Sequence, residues 1–349
     1  MSYFRQEIDA MAGYAPGEQP KDKNIIKLNT NENPYPPSPA VRELLASFDY
    51  SKLRLYPDPV CSELRETVAA LYGFEKENVI AGNGSDDILT IAVRSFCDKE
   101  KALLCVDPTY SLYSALAQIQ GAECIAVPLN EDFSLPDKLP SIKAGLLTLP
   151  APNAPTGNRF EIEKIKKICN EFQGIVLIDE AYADFSENNC LGLVRKYPNV
   201  IVSRTLSKSY SLAGVRLGFA IAGKDLVNGM MKVKDSYNVN ALTQAVACAA
   251  LKDQEYFRKT VNKIKSSRKR LSEELAKLSF SSLPSEANFI FTSPPDENAG
   301  NYFEFLKANK IFVRYFPGER TGRYVRITVG TDQEIDSLLE LTHLYLNGK

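Results

Sequence analysis

Between positions 79 and 223, short apolar runs alternate with stretches of helical period. No other feature of the chain restricts its fold as strongly. The runs are VIAG (79–82), ALLCV (102–106), CIAVPL (124–129), GLLTL (145–149), GIVLID (174–179), VIVS (200–203) and GFAIAG (218–223). After the first run, apolar residues recur at Ile88, Ile91, Ala92 and Phe96, a helical spacing. Further helices are expected over 111–119, closed by Gly121, and over 162–172. Runs of four to six apolar residues separated by amphipathic helices read as strands buried on both faces. They predict an α/β fold with a mainly parallel sheet flanked by helices.

In such sheets, ligands bind at the carboxyl ends of the strands. Tyr110, Asn153, Asp179 with Tyr182, and Lys208 all fall at predicted strand ends. Lys208 lies between serines in the turn after VIVSRT, where burial or a neighbouring cation would leave its amine free to attack a carbonyl. The alternative is a solvated loop lysine. Asp179 closes an apolar strand, where a lone carboxylate is costly unless paired. It either caps the next turn or answers a protonated ring nitrogen. The turn Gly82-Asn83-Gly84-Ser85 opens a helix, whose free N–H groups suit a phosphate. A plain helix cap by Ser85 is the competing reading. A pyridoxal phosphate site needs an amine, an acid for the ring nitrogen, donors for the ring oxygen and an anion pocket. Lys208, Asp179, Asn153 with Tyr182, and Gly84, Ser85, Asp86, Ser207 and Arg216 supply these in order.

Elsewhere the chain sets limits. Residues 1–38 are polar and turn-rich, and the prolines crowded over 34–39 predict an extended arm. Helices are expected over 39–48, 62–72, 224–236, 241–251 and 256–278. ANFIFTS, a helix, IFVRYF, YVRITVG and a last helix over 333–346 predict a smaller α+β unit. The expected division is an arm over 1–38, a large domain over 39–250 and a small domain over 251–349, with part of the N-terminal segment a candidate addition to the last. A net charge of −1 with no basic block favours neither nucleic acid nor a membrane surface. No apolar run has the length of a membrane span, and the N-terminus lacks the plan of a signal peptide. Seven cysteines without a C-x-x-C motif read as reduced residues of a cytoplasmic protein. The single histidine, His343, argues against a Ser-His-Asp triad or a multi-histidine metal site, so no metal is expected.

PAPNAPTG (150–157), DEAYADF (179–185) and RTLSKSYSLAGVRLGF (204–219) together resemble the fold-type I pyridoxal phosphate aminotransferases, whose fold is that of aspartate aminotransferase. With LNTNENPYPPSP (28–39), LYPDP (55–59), AGNGSDDIL (81–89) and YVRITVGT (324–331), the chain is similar to the histidinol-phosphate aminotransferase subfamily nearly end to end. The resemblance implies pyridoxal 5'-phosphate as cofactor. It implies that Lys208 carries the cofactor and moves the substrate proton, and that Asp179 keeps the ring nitrogen protonated. Asn153 and Tyr182 would bond the ring oxygen, and Tyr110 would stack on the ring. Gly84, Ser85, Asp86, Thr205, Ser207 and Arg216 would line the phosphate region, with the Asp86 backbone N–H facing the anion. Tyr56 would reach the cofactor of the second subunit of a homodimer. Tyr14, Asn153, Arg314 and Arg326 would bind substrate, the arginines because a guanidinium grips phosphate or carboxylate through paired N–H groups. The implied reaction passes an amino group between L-histidinol phosphate and 2-oxoglutarate. An aromatic amino acid aminotransferase, a threonine-phosphate decarboxylase and a non-catalytic ligand-binding protein are the alternatives.

Overall fold

A computed structural model describes residues 2–14, 17–22, 24–140 and 142–348. The strands are β1 (Ile26–Lys27), β2 (Val79–Gly82), β3 (Ala102–Asp107), β4 (Cys124–Pro128), β5 (Ala144–Pro150), β6 (Ile175–Asp179), β7 (Val200–Thr205), β8 (Gly218–Ala222), β9 (Ser281–Ser282), β10 (Phe289–Ser293), β11 (Ile311–Phe312), β12 (Arg314–Tyr315) and β13 (Val325–Thr328). Seven of them form one sheet in the order β2-β8-β7-β6-β5-β3-β4. The pairings from β4 through β7 are parallel, whereas β8 runs antiparallel to both β7 and β2. The sheet is therefore mainly parallel with one reversed strand.

Alternate side chains leave a strand on opposite faces. Leu104, Val106, Leu147, Leu149, Val176 and Ile178 pack into a core on one face. Leu103, Cys105, Leu146 and Leu177 pack into a second core on the other. Each such leucine or isoleucine, fully buried, contributes about 1.5–3 kcal/mol. That is why these strands are apolar without alternation.

The helices are α1 (Gln6–Ala10), α2 (Pro39–Ser47), α3 (Ser62–Tyr72), α4 (Ser85–Phe96), α5 (Leu112–Gln120), α6 (Ile162–Glu171), α7 (Lys224–Met231), α8 (Ala241–Lys252), α9 (Gln254–Lys277), α10 (Ala299–Ala308) and α11 (Asp332–Asn347). Gly73 and Gly121 end α3 and α5 in the left-handed conformation that favours glycine. Three sequence expectations need correction. The arm begins with the short helix α1, so it is not extended throughout. The helix expected over 224–236 stops at Met231, after which Lys234 Nζ donates to the carbonyls of Pro59, Asp235 and Ser236 and the chain turns. IFVRYF is two strands that serve different sheets. β11 pairs in parallel with β1 of the arm, and β12 joins an antiparallel sheet ordered β12-β13-β10-β9. Leu28, just after β1, is buried among Ile264, Ile290 and Val329 of this second unit.

Candidate active site

A cavity of about 350 Å³ opens at the carboxyl ends of β5, β6 and β7, lined by Lys208, Asp179 and Tyr182. A groove of about 1230 Å³ lies at the opposite, amino ends of the strands, beside Gly145 and Lys167, and holds none of these groups. The smaller cavity is the chemically equipped one.

Asp179 ends β6 and is 5% exposed. Tyr113 donates to its Oδ2 at 2.9 Å, and Ser203 Oγ and the Ala181 N–H donate to its Oδ1 at 3.3 and 3.1 Å. Burial pushes its carboxyl up to about 6, against the pull of these donors. Among the described residues, no cation forms an ion pair with it. A buried carboxylate with only neutral donors leaves room for a cationic partner.

The Lys208 amine donates to the Thr30 carbonyl at 3.2 Å and lies 5.9 Å from the centre of the Tyr182 ring. Burial lowers its pKa to about 8, helped by the Arg326 charge and opposed by Glu32 and Asp86. Neutral amine is therefore available near neutral pH, as a nucleophile or base requires. Burial also raises the Tyr182 phenol, whose oxygen accepts a 2.9 Å bond from Asn31 Nδ2 and keeps its own proton to donate.

Gly84 and Gly218 shape the anion end. Gly84 caps α4 at φ +87°, a conformation essentially restricted to glycine, and no side chain caps that helix. Ser85 therefore begins the helix and does not cap it, which leaves first-turn N–H groups open to an anion. A Cβ on Gly218 would sit 2.3 Å from the Ser85 nitrogen, so β8 approaches α4 only through this glycine. Arg216 pairs with the Asp86 carboxylate at 3.1 Å, and Asp86 also accepts the Tyr110 hydroxyl at 3.3 Å. The Asp86 carboxylate meets Arg216, which leaves the Asp86 backbone N–H, in the first turn of α4, for the expected anion. Thr205 Oγ1 accepts from the Ser207 N–H at 3.1 Å and donates onward, fixing the turn before Lys208.

On the opposite wall, Arg326 is half-buried beside the rings of Phe289 and Phe316, each 5.2 Å from its guanidinium carbon. One of its nitrogens donates to the Asn29 carbonyl at 3.0 Å, and its Nε has no partner among the described residues. Arg314 lies 5.5 Å from the Phe316 ring, so this ring sits between two guanidinium groups. Burial and the Arg314 charge lower the Arg326 pKa. An anion would relieve both costs. Tyr14 meets Tyr110 edge-on at 5.8 Å and closes the cavity from the arm.

Two expected residues lie off the cavity wall. Asn153 is fully buried behind Ala154 and Pro155, with Nδ2 donating to the Pro108 carbonyl and Thr156 Oγ1 at 3.1 and 2.7 Å. Its Oδ1 is an orphaned acceptor. Tyr56 is 81% exposed and stacks on Tyr237 at 4.5 Å, away from the cavity. Sequence reasoning missed Tyr113, Asn31 and Asn33. The last donates to the carbonyls of both Lys208 and Ser209 at 3.0 and 3.1 Å. Their one sequence signal was the spacing of Tyr113 three residues after Tyr110 and the position of both asparagines in LNTNENP.

These groups fit pyridoxal phosphate. Asp179 would hold the ring nitrogen, Lys208 the aldehyde carbon, and Tyr182 the ring oxygen. The start of α4 with Arg216 would hold the phosphate.

The family model for class I and II aminotransferases matches residues 23–341. A histidinol-phosphate aminotransferase of Rippkaea orientalis is 44% identical over 340 residues, 97% of each chain. One of Microcystis aeruginosa is 47% identical over 326 residues, 93% of each. A crystal structure of histidinol-phosphate aminotransferase from Sinorhizobium meliloti in complex with pyridoxal-5'-phosphate is similar in fold. It has a TM-score of 0.88 and 24% identity, and covers 97% of this chain and 96% of that one. The chain belongs to the class I and II aminotransferases and, among them, to the histidinol-phosphate aminotransferases.

Proposed function

We propose that this protein is a pyridoxal 5'-phosphate-dependent transaminase that exchanges an amino group between L-histidinol phosphate and 2-oxoglutarate, a step of histidine biosynthesis. The observation that carries the reading is one cavity that holds both the Lys208 amine and a buried carboxylate, Asp179, answered by no cation among the described residues.

When bound, the cofactor supplies an electron sink for the carbon that bears the amino group. The residues do the rest. Asp179, kept ionised by the Tyr113, Ser203 and Ala181 donors, holds a proton on the ring nitrogen. Tyr182 donates to the ring oxygen. Lys208 would hold the cofactor aldehyde carbon and, when its Nζ is free, would take and return the proton of the substrate carbon. Arg216 and the first N–H groups of α4 would hold the cofactor phosphate, Arg216 with donors beyond the Nη2 that it gives to Asp86. Arg326 and Arg314 bind the phosphate of histidinol phosphate in one half-reaction and a carboxylate of the keto acid in the other. Tyr14 and Tyr110 cover the substrate. Asn153 would act from behind the cavity wall, where its Nδ2 holds the Pro108 carbonyl and Thr156 in place.

We also propose that the active unit is a cytoplasmic homodimer in which Tyr56 reaches the partner's cofactor. The free cysteines support the compartment, and no helix among the described residues is long and apolar enough to cross a membrane. The exposed Tyr50, Leu53, Leu55 and Tyr56 support the dimer, because four large apolar side chains exposed within seven residues favour a cover. The three expected segments, with boundaries near 38 and 250, complete the proposal. Sedimentation velocity tests the oligomer, and a monomer at working concentration would remove Tyr56 from the site.

The function is tested by incubating the cofactor-loaded protein with L-histidinol phosphate and 2-oxoglutarate and measuring glutamate. Glutamate is expected, and Lys208→Ala should lower the rate by at least about a thousandfold. Glutamate formed from phenylalanine or tyrosine but not from histidinol phosphate would move the function to aromatic amino acids. Histidinol phosphate has no carboxylate to release, so its turnover argues against a decarboxylase.

A further inference from the structure

Behind the candidate site lies a buried cluster of charges that the transamination chemistry does not use. Successive residues of a strand point to opposite faces. Asp179 lines the cavity and accepts the Ser203 hydroxyl, whereas the residues that follow them, Glu180 and Arg204, do not line it. The Tyr72 ring, packed against the first core, lies 5.1 Å from the Arg204 guanidinium. Glu180 is 2% exposed and Arg204 5%.

Arg204 binds Glu180 Oε2 through Nε at 3.0 Å and Nη2 at 2.6 Å, and Asp184 Oδ1 through Nη1 at 2.7 Å. Glu180 also accepts the Cys190 N–H. Asp184 Oδ2 accepts the Ser209 hydroxyl. Each anchor sits beside a site residue. Glu180 follows Asp179, Asp184 is the second residue after Tyr182, and Ser209 follows Lys208. One guanidinium therefore ties together the three segments that carry the carboxylate, the phenol and the amine. A buried ion cluster is a poor route to stability, because a well-packed apolar set does as well or better. What this cluster does provide is geometry, since a planar guanidinium holds two carboxylates in fixed directions.

We propose that Arg204 is a positioning residue for the reaction, which through Asp184 and Ser209 fixes the backbone at 208–209 and with it the direction of the Lys208 amine. Asn33 Nδ2 donates to the carbonyls of Lys208 and Ser209, so the backbone of this segment is tied independently of the Ser209 hydroxyl. The inference rests on the reading of Lys208 as the group that moves the substrate proton.

The test compares Ser209→Ala, Arg204→Lys and Lys208→Ala. Ser209→Ala removes a single hydroxyl, and it carries the test if Arg204→Lys fails to fold. Ser209→Ala is expected to lower kcat about tenfold with an unchanged KM for histidinol phosphate, as small misplacements of a reacting group do. The pH midpoint of the visible absorbance of the cofactor-loaded protein should move by about half a pH unit, the size expected for an ångström-scale displacement among buried charges. The melting temperature of the cofactor-free protein should stay close to that of the wild type. A wild-type kcat and midpoint in Ser209→Ala would overturn the proposal. So would a fall in kcat that tracks a lowered melting temperature while the midpoint stays in place. Full activity in Lys208→Ala would instead sink the functional reading beneath it.

Discussion

The Tyr113 hydroxyl donates a 2.9 Å hydrogen bond to Asp179 Oδ2 from the first turn of α5, 66 positions away in sequence. The pair is fully buried, and it biases Asp179 toward the ionised form that a protonated ring nitrogen requires. Hydrogen bonds to charged groups contribute about 1.5–3 kcal/mol. Tyr113→Phe should therefore weaken pyridoxal phosphate binding about tenfold or more. Absorbance titration of the cofactor-free protein measures this. An unchanged affinity would leave Tyr113 as a packing residue.

Asp179 has a higher pKa in the folded protein, about 6, than its ordinary 3.8. Between these values the folded state holds a proton that the unfolded state has released, so stability falls as pH rises. Relative to Asp179→Asn, the cofactor-free wild type should lose roughly 3 kcal/mol between about pH 4 and pH 6 and remain lower above that range. Urea unfolding at a series of pH values tests this. Parallel stability curves would show that Asp179 carries no burial penalty.

Lys208 shifts the other way, to about 8 from 10.5. Below pH 8 both states are protonated. From 8 to 10.5 only the unfolded state holds the proton, so stability contributed by this group rises with pH across that window. The rate at which the cofactor-free protein takes up pyridoxal phosphate should accordingly rise with pH to a midpoint near about 8. Stopped-flow absorbance would show it, and a midpoint near 10.5 would contradict a buried amine.

Gly84→Ala meets two obstacles. The φ of +87° suits glycine alone, and a Cβ would lie 2.6 Å from Arg216 Nη2. The strain costs about 1–3 kcal/mol and the guanidinium must move. Cofactor affinity should fall at least about tenfold, with a smaller loss in thermal stability. Equal affinity in titration would remove Arg216 from the phosphate site.

Arg326→Lys keeps a charge and loses the fork. The KM values for histidinol phosphate and 2-oxoglutarate should both rise about tenfold or more, with kcat affected less. Steady-state kinetics with each substrate varied would check this. A change confined to one substrate would show that the other does not use this guanidinium.

Local pattern was enough for the framework. A strand buried on both faces must be apolar, and β2 through β8 could be read that way. Strand ends follow from strands, so Asp179, Tyr182 and Lys208 were legible as neighbours. Local pattern could not show that β8 is reversed, that IFVRYF divides between two sheets, or that α7 stops at Met231. Direction and pairing partner leave no trace in the period of one segment.

The contacts that set the chemistry join distant segments. Asn31 reaches Tyr182 across 151 positions, and Asn33 reaches the Lys208 carbonyl across 175. Asn153 was placed at the site by its motif, but its neighbours Ala154 and Pro155 form the wall while its own side chain turns behind it. The residue types at the strand ends could be read along the chain alone, because hydrophobic period is a property of neighbours in sequence. Only the tertiary structure decided that the Lys208 amine is shielded and shifted, that Asp179 meets Tyr113, and that Arg204 gathers Glu180, Asp184 and, through it, Ser209. Burial and long-range pairing depend on every element that packs around a group, and no single stretch of sequence contains them.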